Sequence, residues 1–91
     1  MATQKLELSP DVMFQEVQGE LVMFDLASEK YYALTEVAAR VWKLVGAGAG
    51  ANQIIETLLQ EYAVEPAQLE TDVTNLLAQL KSAGLIKQNW Q

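Results

Sequence analysis

Cysteine and histidine are both absent from the 91 residues, and proline occurs only twice. Without thiols there is no disulfide, no thiolate nucleophile and no sulfur metal ligand, and without imidazole the commonest metal ligand and general base are missing too. Catalysis would have to rely on carboxylates and hydroxyls. Glu65, Glu70 and Asp72 cluster early in the predicted third helix, where negative charge complements the helix dipole. No catalytic residue, cofactor or metal site is therefore assigned. Basic residues are also scarce: six Lys and Arg stand against twelve Asp and Glu, for a net charge of −6. That balance works against attraction to polyanions, so neither nucleic acid nor an anionic membrane is an expected partner. No apolar run approaches the roughly 20 residues needed to span a bilayer, and Met1 to Pro10 lacks the basic start and apolar stretch of a secretory signal. The expected compartment is the cytoplasm.

What is present suits one small globular unit. Hydrophobic residues make up 51% and charged residues 20%, values far from those of disordered chains. A single domain is expected over residues 1–91, with 1–10 and 88–91 as candidate flexible ends. The apolar rhythm changes at Thr35 from about every second residue to helical spacing, so strands precede helices. Val12 to Val17 and Leu21 to Leu26 read as strands around a glycine-containing turn, Gln18–Gly19–Glu20. In the second, Val22, Phe24 and Leu26 form the better core face, because the opposite face of Leu21 and Met23 also carries Asp25. After a polar reversal at Ala27–Glu29, Lys30 to Leu34 makes a third strand, with Tyr32 and Leu34 on one side and Tyr31 and Ala33 on the other.

Thr35 stands where a helix cap belongs, and Val37, Ala38, Val41, Trp42 and Val45 recur at helical spacing to about Val45. Trp42 reads as core. A second helix is expected from a cap at Asn52 to about Tyr62, carrying Ile54, Ile55, Leu58 and Leu59 on one face. A third begins near Pro66, carries Leu69, Val73, Leu76, Leu77 and Leu80, and stops at Gly84. Leu85 and Ile86 then fold back onto the core as a short extended tail, and Trp90 belongs to a frayed or loosely docked end. Between the first two helices lies GAGAGA, Gly46 to Ala51, read as a flexible connection. Its spacing superficially matches dinucleotide-binding loops, but those follow a strand and open a helix, whereas this one leaves a helix.

The fold class expected is α+β: a three-stranded antiparallel sheet followed by three helices, all-helical after the third strand. Nothing later in the chain reads as a strong pairing partner for Lys30 to Leu34, so that strand is expected to keep an open edge. Such an edge presents unpaired N–H and C=O groups, and is either an aggregation hazard or a peptide-binding site. The same element order suits a winged helix-turn-helix, but a DNA-reading third helix would carry several Arg and Lys, and here only Lys81 is available beside Glu70 and Asp72.

The run YYALTEVAARVWKLV, followed by QIIETLLQEY and LETDVTNLLAQLKSAGLI, resembles the PqqD-like family of leader-peptide-binding domains, also called RiPP recognition elements. The likeness rests on Tyr31, Tyr32, Leu34, Thr35, Val41, Trp42, Asp72, Val73, Gly84, Leu85 and Ile86, in that order. It departs from the family pattern at Thr35, where Asn is frequent, at Ala38, where Gly is frequent, and in the longer, blander GAGAGA loop. The resemblance implies a winged helix-turn-helix-like fold. In it, the leader segment of a ribosomally made precursor peptide adds as a further strand between the third strand and the third helix. It assigns leader binding to Lys30, Tyr31, Tyr32 and Ala33 on the strand side and to Asp72, Leu76, Gln79 and Leu80 on the helix side. The implied function is non-catalytic. The domain would hold the leader for a partner modifying enzyme or leader peptidase, in a lasso-peptide or radical-SAM pathway, with the tyrosine pair and Trp motif leaning toward the lasso type. The alternatives are a winged-helix transcription regulator or general protein-interaction module, and a homodimer closed through the same strand edge.

Overall fold

The computed structural model describes residues 4–90. Five strands and three helices follow in the order β1 (Gln4–Leu8), β2 (Val12–Val17), β3 (Glu20–Asp25), β4 (Lys30–Thr35), α1 (Glu36–Gly46), α2 (Ala51–Glu61), α3 (Pro66–Ser82) and β5 (Ile86–Trp90). The α+β class, with a three-stranded antiparallel sheet ordered β2-β3-β4 and three helices after it, is as expected. The remainder after β4 is not all-helical, however. β5 returns to pair antiparallel with β1 as a separate two-stranded sheet, Leu8 opposite Ile86. Leu85 and Ile86 are buried, as the folded-back tail requires. β1 and β5 cover positions offered as candidate flexible ends. Residues 1–3 and 91, and the side chain of Trp90, lie outside the described residues.

Local chemistry explains the turns. Gln18 and Gly19 both take positive φ (51° and 84°) between paired Val17 and Glu20, a two-residue loop whose twist matches the flanking strands. The β3–β4 reversal is organised by Asp25. Its carboxylate accepts the Ala27 N–H at 3.1 Å and the Ser28 hydroxyl at 2.8 Å, while its carbonyl accepts the Glu29 N–H.

This role corrects the expected core face of β3. Leu21, Met23 and Asp25 are buried, and Val22 and Leu26 are exposed. Asp25, only 4% exposed, is tolerated there because its oxygens are satisfied within its own turn, which removes most of the cost of burying a polar group.

One helix cap and one helix boundary also differ from expectation. Thr35 occupies the N-cap position of α1 but makes no side-chain cap bond, and Glu36 after it has φ 51°. α2 is preceded by Gly50 at its cap, which places Asn52 inside the first turn. Nor is GAGAGA a loose tether. Gly48 (φ 95°) follows α1, the Ala49 N–H reaches the Leu44 carbonyl and the Gly48 N–H that of Val45. This is the six-to-one and five-to-two pattern with which glycine closes helices. Gly84 (φ 76°) closes α3 identically, through Leu85 N–H to Leu80 and Gly84 N–H to Lys81.

The core lies between the inner face of β2-β3-β4, the β1-β5 ribbon and the helices, around fully buried Trp42, Met23, Ile54 and Leu58. Phe14 meets the Trp42 ring edge-on at 5.5 Å. At the surface, Arg40 of α1 grips the Glu61 carboxylate of α2 through two nitrogens, Nε to Oε1 at 2.9 Å and an Nη to Oε2 at 2.7 Å. Among the described residues no helix is long and apolar enough to cross a membrane.

Candidate functional site

β4 is an outer strand of its sheet. One side pairs with β3 along its length, from Asp25↔Lys30 to Glu20↔Thr35, and no described strand pairs with the other. Six residues of backbone thus offer alternate N–H and C=O groups to an added strand. Pleating separates the tyrosines. Tyr32, in register with buried Met23, is half-buried and packs on the core, while Tyr31, in register with Phe24, is 76% exposed on the outward face. Lys30 and Ala33 are exposed as well.

Where β4 ends, the chain enters α1 directly, and the first turn of that helix forms one wall of an apolar trough of about 280 Å³. Val37 and Ala38 line the α1 side, and Val64, Leu69, Val73 and Leu76 come from α3 and the segment before it. Val37 and Ala38 fall on the expected apolar face of α1 but are only half-buried, because the helix buries Ala39, Val41, Trp42 and Val45 instead. The polar exceptions are Gln68 and Asp72. The Gln68 side-chain amide donates to Asp72 Oδ1 at 2.9 Å, so these neighbours, one turn apart, form a single polar lip on an otherwise apolar cleft. The arrangement suits an apolar side chain inserted between helices with a hydrogen-bonding or cationic group beside it. It supplies no nucleophile–base pair.

Of the residues expected on the helix side, Asp72 and Leu76 come together in this trough. Gln79 is exposed further along the helix, at the i+7 position from Asp72. Leu80 is 4% exposed and belongs to the core beneath. Lys30, Tyr31, Tyr32 and Ala33 occupy the β4 edge and are not among the residues lining the trough. Sequence reasoning missed Val37, Ala38, Val64 and Gln68 as trough residues, and read Leu69 and Val73 only as part of the apolar face of the third helix. For Val64 a signal existed, since a large aliphatic in the connection before Pro66 has no helical period to bury it. Gln68 lies four residues before Asp72, a spacing that favours their bond.

Two solved structures share this fold closely. TbiB1 in complex with the TbiA(beta) leader peptide matches with a TM-score of 0.85 and 26% identity over 89% of this chain and 94% of that one. Lasso peptide synthetase B1 complexed with the leader peptide matches with a TM-score of 0.82 and 26% identity over 90% and 96%. A search of curated proteins finds none that matches. The family model described as coenzyme PQQ synthesis protein D (PqqD) matches residues 20–86, a span holding the open β4 edge, all three helices and the trough. By that match, the chain belongs to the PqqD family.

Proposed function

We propose that this chain binds the leader segment of a precursor peptide by strand addition at the free edge of β4, with leader side chains entering the trough beside α3. The observation that carries this reading is the unpaired edge of β4, which leads straight into α1, the helix whose first turn walls the apolar trough. The two structural neighbours, each a complex with a leader peptide, support it. Each added backbone bond contributes about 0.5–1.5 kcal/mol net, and ordering a free peptide costs several kcal/mol. Apolar side chains seated between α1 and α3, at about 1.5–3 kcal/mol each when fully buried, therefore supply much of the affinity.

The chain acts without catalysis. By holding the leader it raises the effective concentration of the adjoining peptide at a partner modifying enzyme or leader peptidase. A lasso-peptide pathway is favoured over a radical-SAM one, since both structural neighbours are B1 proteins. The expected leader contacts are Lys30, Tyr31, Tyr32 and Ala33 along β4, and Asp72, Leu76 and Gln79 on α3. A winged helix-turn-helix-like fold turned to peptide binding is part of this reading, and the match in fold to the two leader-bound structures supports it.

The test is calorimetric titration with a synthetic leader of the precursor encoded beside this chain, and in parallel with duplex DNA. A Kd on the order of micromolar or below for the leader is expected. DNA binding that falls steeply with salt, without leader binding, would instead establish a regulator.

A further inference from the structure

The outward face of the β2-β3-β4 sheet is covered by none of the described residues. Register sets Met13, Phe24 and Tyr31 side by side across the three strands, with Gln15, Val22 and Ala33 in the next row. The Phe24 and Tyr31 rings lie 4.6 Å apart, Met13 is 62% exposed, and a shallow depression of about 270 Å³ lies among them. Val17 and Leu26, both exposed, extend the apolar surface at its two ends. A contiguous patch of this kind on a small domain marks an interaction surface.

Charge at its margins selects the occupant. The centre is uncharged, Glu20 stands at one end, and Asp11 and Glu29 lie in the turns at the other, beside Lys30. Glu16 is already paired with Lys43. Even with Lys30 counted, each end keeps a net negative charge, so two copies packed face to face would oppose like charge at both ends whichever way the two-fold axis ran, on chains that each carry −6. The complementary occupant is a protein surface with an apolar centre and Lys or Arg around it.

The patch is also continuous with the β4 edge. A strand added there would lie about 4.8 Å from β4 and point alternate side chains outward beside Tyr31 and Ala33. We infer that this sheet face docks the enzyme acting on the leader, through a basic-rimmed apolar patch on that enzyme, and that the bound leader completes the docking surface. The inference rests on the leader-binding reading. It requires the enzyme to bind the leader-loaded chain more tightly, and by linkage to tighten leader binding by the same factor.

The test titrates the leader-processing enzyme encoded beside this chain against wild type, the double variant Met13→Ser with Val17→Ser, and Glu20→Lys, each with and without the synthetic leader. The altered side chains are exposed and lie outside the trough, and circular dichroism verifies that each variant is folded. Wild type should bind the enzyme about fivefold more tightly, or better, when the leader is present. The double variant should bind leader alone as wild type does and lose about tenfold or more in enzyme affinity. Glu20→Lys should weaken the enzyme complex and reduce its salt sensitivity. No enzyme binding by wild type, equal binding with and without leader, or full binding by the double variant overturns the inference. So does a dimer of the chain alone that the double variant dissociates, since the occupant would then be a second copy. Failure of the leader-binding reading shows separately, as loss of signal in the titration of wild type with leader alone.

Discussion

Gln68 donates its side-chain amide to Asp72 Oδ1 at 2.9 Å across one turn of α3, and the pair forms the polar lip of a trough otherwise lined by aliphatic side chains. Asp72 thereby keeps its carboxylate at the trough mouth, with its second oxygen making no hydrogen bond to another described residue. A leader carrying a cation near its apolar anchor would use that oxygen. Asp72→Asn should therefore raise the leader Kd about threefold to tenfold for such a leader, and the loss should shrink as salt rises, as calorimetry at two ionic strengths would record.

Leu76 sets the apolar side of the same trough and is half-buried. Leu76→Asp should raise the leader Kd about tenfold or more while the chain stays helical by circular dichroism, since a carboxylate in the trough must be desolvated when a leader side chain enters. Collapse of the thermal melt instead would place Leu76 with the structural core.

Tyr31 offers its backbone to an added strand while its ring stands outside the core. Tyr31→Ala should leave the melting temperature nearly unchanged and raise the leader Kd about twofold to fivefold, through lost apolar contact beside the added strand and not through lost backbone bonds.

Much of this was legible in the sequence, and the misses have identifiable causes. The three strands β2 to β4, the helix from Thr35 and the helix from Pro66 follow from period and punctuation alone. The inward face of β3 does not, because both faces are apolar and the decisive residue, Asp25, looks like a surface group until its turn bonds to Ala27 and Ser28 are known. β5 was missed because Ile86–Trp90 carries no alternating pattern and its partner, β1, lies at the opposite end of the chain. On the site, helix phase brought Asp72 and Leu76 to the trough but placed Leu80 there too. A turn of 100° per residue cannot distinguish a wall from the core behind it. Val37 and Ala38 escaped notice because helical spacing marks them as apolar without revealing that α1 leaves them partly uncovered.

The glycine run supplies a stability prediction. Gly48 closes α1 at φ 95°, and a Cβ there would meet no atom within 4 Å. The cost of Gly48→Ala is therefore conformational, about 1–2 kcal/mol for an L-residue held in the left-handed region. Denaturant unfolding should show that loss with an unchanged slope. At Gly46 the problem differs, since a Cβ would come within 3.1 Å of Leu8 Cδ1 and the β1 side chain would have to shift.

Acid should weaken one link between helices. The hydrogen bond from Arg40, with its positive charge adding, holds the Glu61 carboxyl below the usual carboxylate range, against a smaller opposing effect of burial. A group whose folded pKa is depressed stabilises the fold above its unfolded pKa, and that contribution disappears as pH falls through the folded value. Wild type should thus exceed Glu61→Gln in stability near neutral pH, by a small margin because the pair is exposed. The difference should shrink as pH falls through the range in which the Glu61 carboxyl takes up its proton, as paired urea titrations at neutral and acid pH would show.

The central claim is that a leader peptide completes the sheet at β4, and amide hydrogen exchange tests it most directly. On adding the synthetic leader, protection should rise at alternate residues of Lys30–Thr35, those whose N–H groups point away from β3, while the β3-facing amides change little. Leader binding that leaves β4 exchange untouched, with new protection confined to another element, would contradict the account.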